Sequence, residues 1–201
     1  MRATKRHRHA SALRGAQTGS AAVELAIVAI IFFTLLFSIM EIARAMYICN
    51  TLQEVTRRAA QAASYTDFTD TGAMQRIHED AVFRQSPGTL LFAEPVTDAH
   101  VRIDYLAITQ NGATLGTAPV HPLPASPDEN HETCMRERYS ARCIRLVRVR
   151  ICQPGEGNQC DPVPYRPLVS LIPLSFALPV STTMTVAESL GRPAGLPPGP
   201  G

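Results

Sequence analysis

The feature that most constrains this chain is an uninterrupted apolar run, Ser20 to Met40, that follows a basic leader ending at Gly19. The run holds 21 residues, chiefly Ala, Ile, Val, Leu and Phe, with one charge, Glu24, near its start. As a helix at 1.5 Å rise per residue it measures roughly 31 Å, matching the ~30 Å hydrocarbon core of a bilayer. A cleaved secretory signal fits less well, because the run exceeds the usual 7 to 15 apolar residues and the small-residue cleavage site after it is weak. The leader carries Arg2, Lys5, Arg6, Arg8 and Arg14 and no acid. Positive flanks stay cytoplasmic, so the N-terminus is expected inside and everything after the single span outside.

Removing those five charges from the nineteen Lys and Arg leaves fourteen against seventeen Asp and Glu. The mildly basic balance therefore belongs to the leader and gives no reason to expect a nucleic-acid partner. Helical periodicity continues beyond the run: Ile42, Ala45, Met46, Cys49, Leu52, Val55, Ala59 and Ala63 recur at spacings of three and four. Charged and polar residues fill the gaps, and neither Pro nor Gly interrupts Ser20 to Ser64. The pattern predicts one helix of about 45 residues, roughly 68 Å long, apolar all round in its first half and amphipathic in its second.

The string Gly19, Ser20, Ala21, Ala22, Val23, Glu24, Leu25, the apolar run, and then Glu41, Ile42, Ala43, Arg44 resembles the N-terminus of TadE-like proteins. These are pseudopilin relatives in tight-adherence (Flp-type) pilus assembly, and TadG-like proteins share the region. The resemblance covers roughly residues 15 to 65. It implies cutting by a prepilin peptidase between Gly19 and Ser20, which makes Glu24 the fifth residue of the mature chain. It further implies the bacterial inner membrane with a periplasmic C-terminal domain, and as partners the peptidase, other pilin-like or Tad subunits through the N-terminal helix, and membrane lipid. Filament subunit, tip protein and membrane-resident assembly factor are all compatible with it. Physically, a carboxylate in hydrocarbon costs up to about 2.5–3.5 kcal/mol at mid-membrane and asks for a partner. The new α-amino group of a neighbouring Ser20 would supply one, and the helix dipole favours an acid at this end.

The remaining chain reads as a small α+β domain. Asp67 and Asp70 lie in a Thr-rich turn and suit capping better than calcium. A short helix is expected over about 73–84, ended by Pro87-Gly88. Val101 to Thr109 alternates as a strand, and Asn111-Gly112 supplies a turn. Residues 118–130, with four prolines, read as an irregular loop. A second strand is expected over about 142–152, with Ile144, Leu146, Val149 and Ile151 inward, a bulge at Val147, and Arg145, Arg148 and Arg150 facing water. Residues 166–189 suit two or three short strands, and the Pro/Gly-rich 191–201 a disordered tail. The organisation expected is thus leader 1–19, membrane helix 20–40, amphipathic helix 41–66, antiparallel α+β head 67–190 and tail 191–201.

Cys134, Cys143, Cys152 and Cys160 fall within 27 residues on the extracytoplasmic side, which suggests two disulfides among three pairings. Cys143 and Cys152 flank one strand and cannot join while it is extended, so Cys134–Cys143 with Cys152–Cys160 is one solution. No CxxC pair favours zinc. There is no HExxH, Gly-x-Ser-x-Gly or phosphate-binding Gly loop, so neither catalysis nor a cofactor is expected. Six arginines between Arg136 and Arg150 offer an alternative to an assembly role, a membrane-anchored module binding a glycan or protein through Arg145, Arg148 and Arg150.

Overall fold

The computed structural model describes residues 18–155, 159–168 and 176–192. The leader up to residue 17, the middle of the Gly155–Gly157 loop, positions 169–175 of the last strand-rich stretch and the tail beyond Arg192 lie outside the described residues. The architecture is α+β: a long N-terminal helix, further short helices and a four-stranded antiparallel sheet. Helix α1 runs unbroken from Thr18 to Tyr65, 48 residues or roughly 72 Å. The chain divides within it into two units, Met1–Ile42 and Ala43–Gly201.

In the first unit the large apolar side chains from Val23 to Met40 are exposed, Leu25 and Ile30 by about two-thirds, except for the half-buried Phe37. Among the described residues one helix is long and apolar enough to cross a membrane. In the second unit the same helix changes character. Ile48, Leu52, Val55, Ala59 and Ala63 form a stripe that is fully buried, or nearly so, in one core with strand and α2 residues. The alanines allow close approach, and Thr56 Oγ1 bonds the hydroxyls of Ser181 at 3.2 Å and Thr183 at 2.9 Å.

Helix α2, Thr71–Ala81, starts where the two acids act as caps. Asp70 accepts from the Ala73 N–H at 2.9 Å, and Asp67 from the Thr69 N–H and hydroxyl. The helix ends three residues before the expected Arg84, because Phe83 turns left-handed with φ 60°. Strands β1 (Val101–Asn111), β2 (Thr114–Pro119), β3 (Leu146–Ile151) and β4 (Thr182–Val186) lie in the order β2-β1-β3-β4. The hairpin β1–β2 closes at Asn111 opposite Thr114, with Gly112 at φ 62° supplying the left-handed turn.

Two expectations for β3 are corrected. The strand begins at Leu146, not near Arg142, since residues 140–143 form a turn in which the Cys143 N–H reaches the Ser140 carbonyl. It also contains no bulge at Val147, which pairs directly with Tyr105. Val147, Val149 and Ile151 are the buried face, and Leu146 shares the other face with Arg148 and Arg150.

Residues 118–130, read as irregular, give the end of β2 and the start of helix α3, Pro127–Arg136. Ser126 caps α3 by accepting the Glu129 N–H, with Pro127 in the first turn and Asp128 and Glu129 beside the positive helix end. Disulfide Cys134–Cys143 ties α3 to the approach of β3, and Cys152–Cys160 closes the loop leaving it. After β4 the chain returns to α1, where the Glu188 and Leu190 N–H groups both bond the Ser64 carbonyl left open in the last turn. Gly191 has φ 86°, and a Cβ there would stand 2.6 Å from the Asp67 nitrogen, so this closure admits no side chain.

A 3-10 turn, Asp98–His100, leads into β1 and is pinned by His100, whose Nδ1 accepts from the Thr97 N–H at 3.0 Å. Burial pushes the imidazole down from its ordinary value of 6.5, against the pull of the Asp98 carboxylate. A folded-state value below the unfolded one makes this contribution complete above the unfolded value and progressively lost as pH falls through it. Unfolding midpoints taken from about pH 7.5 to about pH 5.5 should therefore fall more steeply for the native chain than for His100→Gln, since the substitution removes this imidazole and leaves the rest of the chain in common. Equal slopes would remove His100 from the acid sensitivity.

Candidate functional site

The junction expected to be processed lies at the beginning of α1. Gly19 is the second described residue, and nothing stands within 4 Å of where its Cβ would be. Ser20 and Glu24 are four apart on one helix face, and the serine hydroxyl donates to Glu24 Oε1 at 3.1 Å. Both side chains are exposed. Glu24 lies beyond the first turn of α1, which begins at Thr18, and its second oxygen remains available to an outside donor.

In the head, the three strand arginines separate into two settings. Cross-strand pairing sets Arg102 opposite Arg150 and Asp104 opposite Arg148. Asp104 is the hub: Oδ1 receives Arg102 Nε at 3.3 Å, while Oδ2 receives Arg150 at 2.7 Å and Arg148 at 3.1 Å. The arginine side chains are a quarter exposed or less, so Arg148 and Arg150 do not face water freely, as their alternation had suggested. The sequence reads Arg102 and Asp104 only as the polar positions of the β1 alternation, with no role at a site. Their alternation in β1 placed them on one face, but which strand and register lay opposite was not written locally.

Arg145 stands apart. It lines a groove of about 720 Å³ with Arg136, Arg138, Leu115, Met135 and Tyr139, between α3 and the β1–β2 hairpin. Arg136, Arg138 and Arg145 have no ion pair among the described residues. Among the described residues no group of three or more His, Cys, Asp and Glu is arranged to hold a metal.

Removing Asp104 takes the shared carboxylate away from Arg102, Arg148 and Arg150 in a half-dry setting. Asp104→Ala should therefore cost about 2–3 kcal/mol in denaturant unfolding, and Arg148→Ala only about 1, because the carboxylate keeps two partners. Equal losses would mean that Asp104 is not the hub.

Residues 19–61 match the family model described as TadE-like protein. No curated protein and no solved structure matches the chain. The match starts at Gly19 and covers the apolar run and most of the buried stripe of α1, while the head beyond it lies outside. Over residues 19–61, about a fifth of its length, the chain is thus similar to TadE-like proteins.

Proposed function

We propose that the chain is a pseudopilin-like component of a tight-adherence pilus or related secretion system, inserted with its N-terminus cytoplasmic and its head periplasmic. Prepilin peptidase cuts between Gly19 and Ser20, and the released helix assembles laterally with other pilin-like subunits. The observation that carries this reading is that the family match begins at Gly19 itself. On this reading the domain organisation follows function: a leader to residue 19, a lipid-embedded helix to residue 40, an amphipathic continuation to residue 66 and the disulfide-bonded head. Cutting creates an α-amino group on Ser20, four residues from Glu24. In an assembled bundle the Glu24 carboxylate of one subunit pairs with that amino group of the next, which offsets the cost of a charge in hydrocarbon.

A second reading, a membrane-anchored module for a glycan or protein ligand, is favoured by the groove in which Arg136, Arg138 and Arg145 converge without a counter-charge. Its basis has moved from the strand to the groove, because Arg148 and Arg150 are engaged by Asp104.

N-terminal sequencing of membrane-extracted protein, with and without the peptidase, tests the first reading. The mature chain should begin at Ser20 only when the peptidase is present, and Glu24→Ala should abolish piliation after normal cleavage. A chain starting at Met1 in both strains would contradict processing. Normal pili with lost ligand adhesion in an Arg136/Arg138/Arg145 triple alanine variant would favour the second.

A further inference from the structure

Strand β2 forms an open edge of the sheet. Such an edge offers unpaired N–H and C=O groups to any extended segment, and proteins ordinarily blunt it with a lysine, an inward charge, a proline or a bulge. Thr114–Pro119 carries no charge, pairs with β1 over its whole length without a bulge, and is exposed at every position but the half-buried Ala118. Only Pro119, at its end, blunts it.

The register fixes which groups lie open. The Val120 N–H bonds the Tyr105 carbonyl at 2.9 Å, and bonded pairs alternate with unbonded ones along an antiparallel ladder. Ala118, Gly116 and Thr114 therefore direct their backbone groups at β1, while those of Leu115 and Thr117 point away from the sheet. The side chains of Leu115 and Thr117 share a face with Gln110 and Ile108, their cross-strand partners. The groove of about 720 Å³ lies on that face, with Ile108 and Leu115 in its wall. Alternate side chains of a strand laid beside β2 would thus point to the groove side.

What waits there is positive and apolar. Arg136, Arg138 and Arg145 line the groove, and none has an ion pair among the described residues. Glu132 and Glu137, close to them in sequence, are not among the lining residues. Cys134 and Cys143 each stand two residues before an arginine of this group, so their disulfide holds the segments bearing Arg136 and Arg145 together. Leu115 and Met135, 64% and 75% exposed, add uncovered apolar surface. Guanidinium groups held this way suit carboxylates, which they grip through paired N–H donors. The edge amides ask for a partner with alternating main-chain donors and acceptors, and the arginines ask for acids on one of its faces. A glycan meets only the second demand.

We propose that the β2 edge and the arginine groove together take an extended acidic segment of a partner protein. The segment adds to the sheet beside β2 and turns alternate Asp or Glu side chains to Arg136, Arg138 and Arg145. This rests on the second reading above, that the groove binds a ligand, and names that ligand as a peptide strand.

The probe is a labelled heptapeptide of alternating Glu and Thr, titrated by fluorescence anisotropy into the oxidised full-length chain in zwitterionic detergent. Binding should weaken by about 30-fold or more in an Arg136→Ala, Arg138→Ala, Arg145→Ala triple variant, and equally when Gln replaces Glu in the peptide. Thr117→Pro removes an outward N–H and leaves the bonds to β1 intact, because an edge strand tolerates proline on its open side. It should cost about three- to tenfold. Two further peptides carry N-methyl groups, one on the Glu amides and one on the Thr amides. Only alternate amides face β2, so one should lose binding about tenfold and the other keep it. Equal affinity of all three peptides, or equal loss in both methylated ones, would overturn strand addition. So would undiminished binding to the triple variant. Oligogalacturonate bound through the arginines, with the peptide unbound, would keep the groove as a glycan site and overturn the strand. If neither probe binds, the proposal and the second reading fall together.

Discussion

The head depends on one interaction, the burial of the Ile48–Ala63 face of α1. Ile48, Leu52 and Val55 are wholly removed from solvent, each contributing about 1.5–3 kcal/mol of apolar burial. The sheet they pack with has only four strands, and β2 at its edge is almost entirely exposed, so without the helix one sheet face would be left open. The same helix between Leu25 and Met40 is apolar on nearly every side and largely exposed. A single continuous element therefore changes solvent along its length, from the exterior of the first unit to the interior of the second. Its unbroken backbone, free of Pro and Gly between Ser20 and Ser64, lets it do so without exposing a buried amide.

Polar groups near this core are arranged so that each charge meets several partners. Asp104 collects three arginines, Arg44 distributes its donors over two carbonyls and a tyrosine hydroxyl, and the Ser64 carbonyl takes two returning N–H groups. These join segments far apart in sequence, residues 44 with 166 and 64 with 190. The C-terminal part of the head is thereby stitched to the helix that begins the chain. The two disulfides do a different task, each closing a local loop of eight or nine residues.

Local pattern revealed α1, the Asp70 cap, β1 and the turn at Gly112, because each is written in adjacent residues: periodicity, a capping acid, alternation, Asn-Gly. The Cys134–Cys143 and Cys152–Cys160 pairing emerged as one solution of three from the same logic, since an extended strand keeps its two ends apart. What failed was either overridden or non-local. Helix α3 carried a legible start, Ser126-Pro127-Asp128-Glu129, but the four prolines around it masked the signal. Strand β2, with Gly116 and Pro119 and no buried face, has little to announce it. The supposed bulge at Val147 came from assigning Leu146 to the core, whereas the register gives that place to Val147. The fate of Arg148 and Arg150 depended on Asp104 some forty residues away, and only the pairing of β1 with β3 brings them together. At the junction, the placing of Ser20 and Glu24 on one helix face was legible, because four residues make about one turn.

Residues 43–65 thus belong to the head as its core helix and are not merely a stalk. Unfolding of two soluble fragments, one beginning at Ala43 and one at Thr66, each oxidised to form both disulfides, tests this most directly. The Ala43 fragment should unfold cooperatively and resist protease, and the Thr66 fragment should do neither. Cooperative unfolding of the Thr66 fragment at the same midpoint would contradict the account.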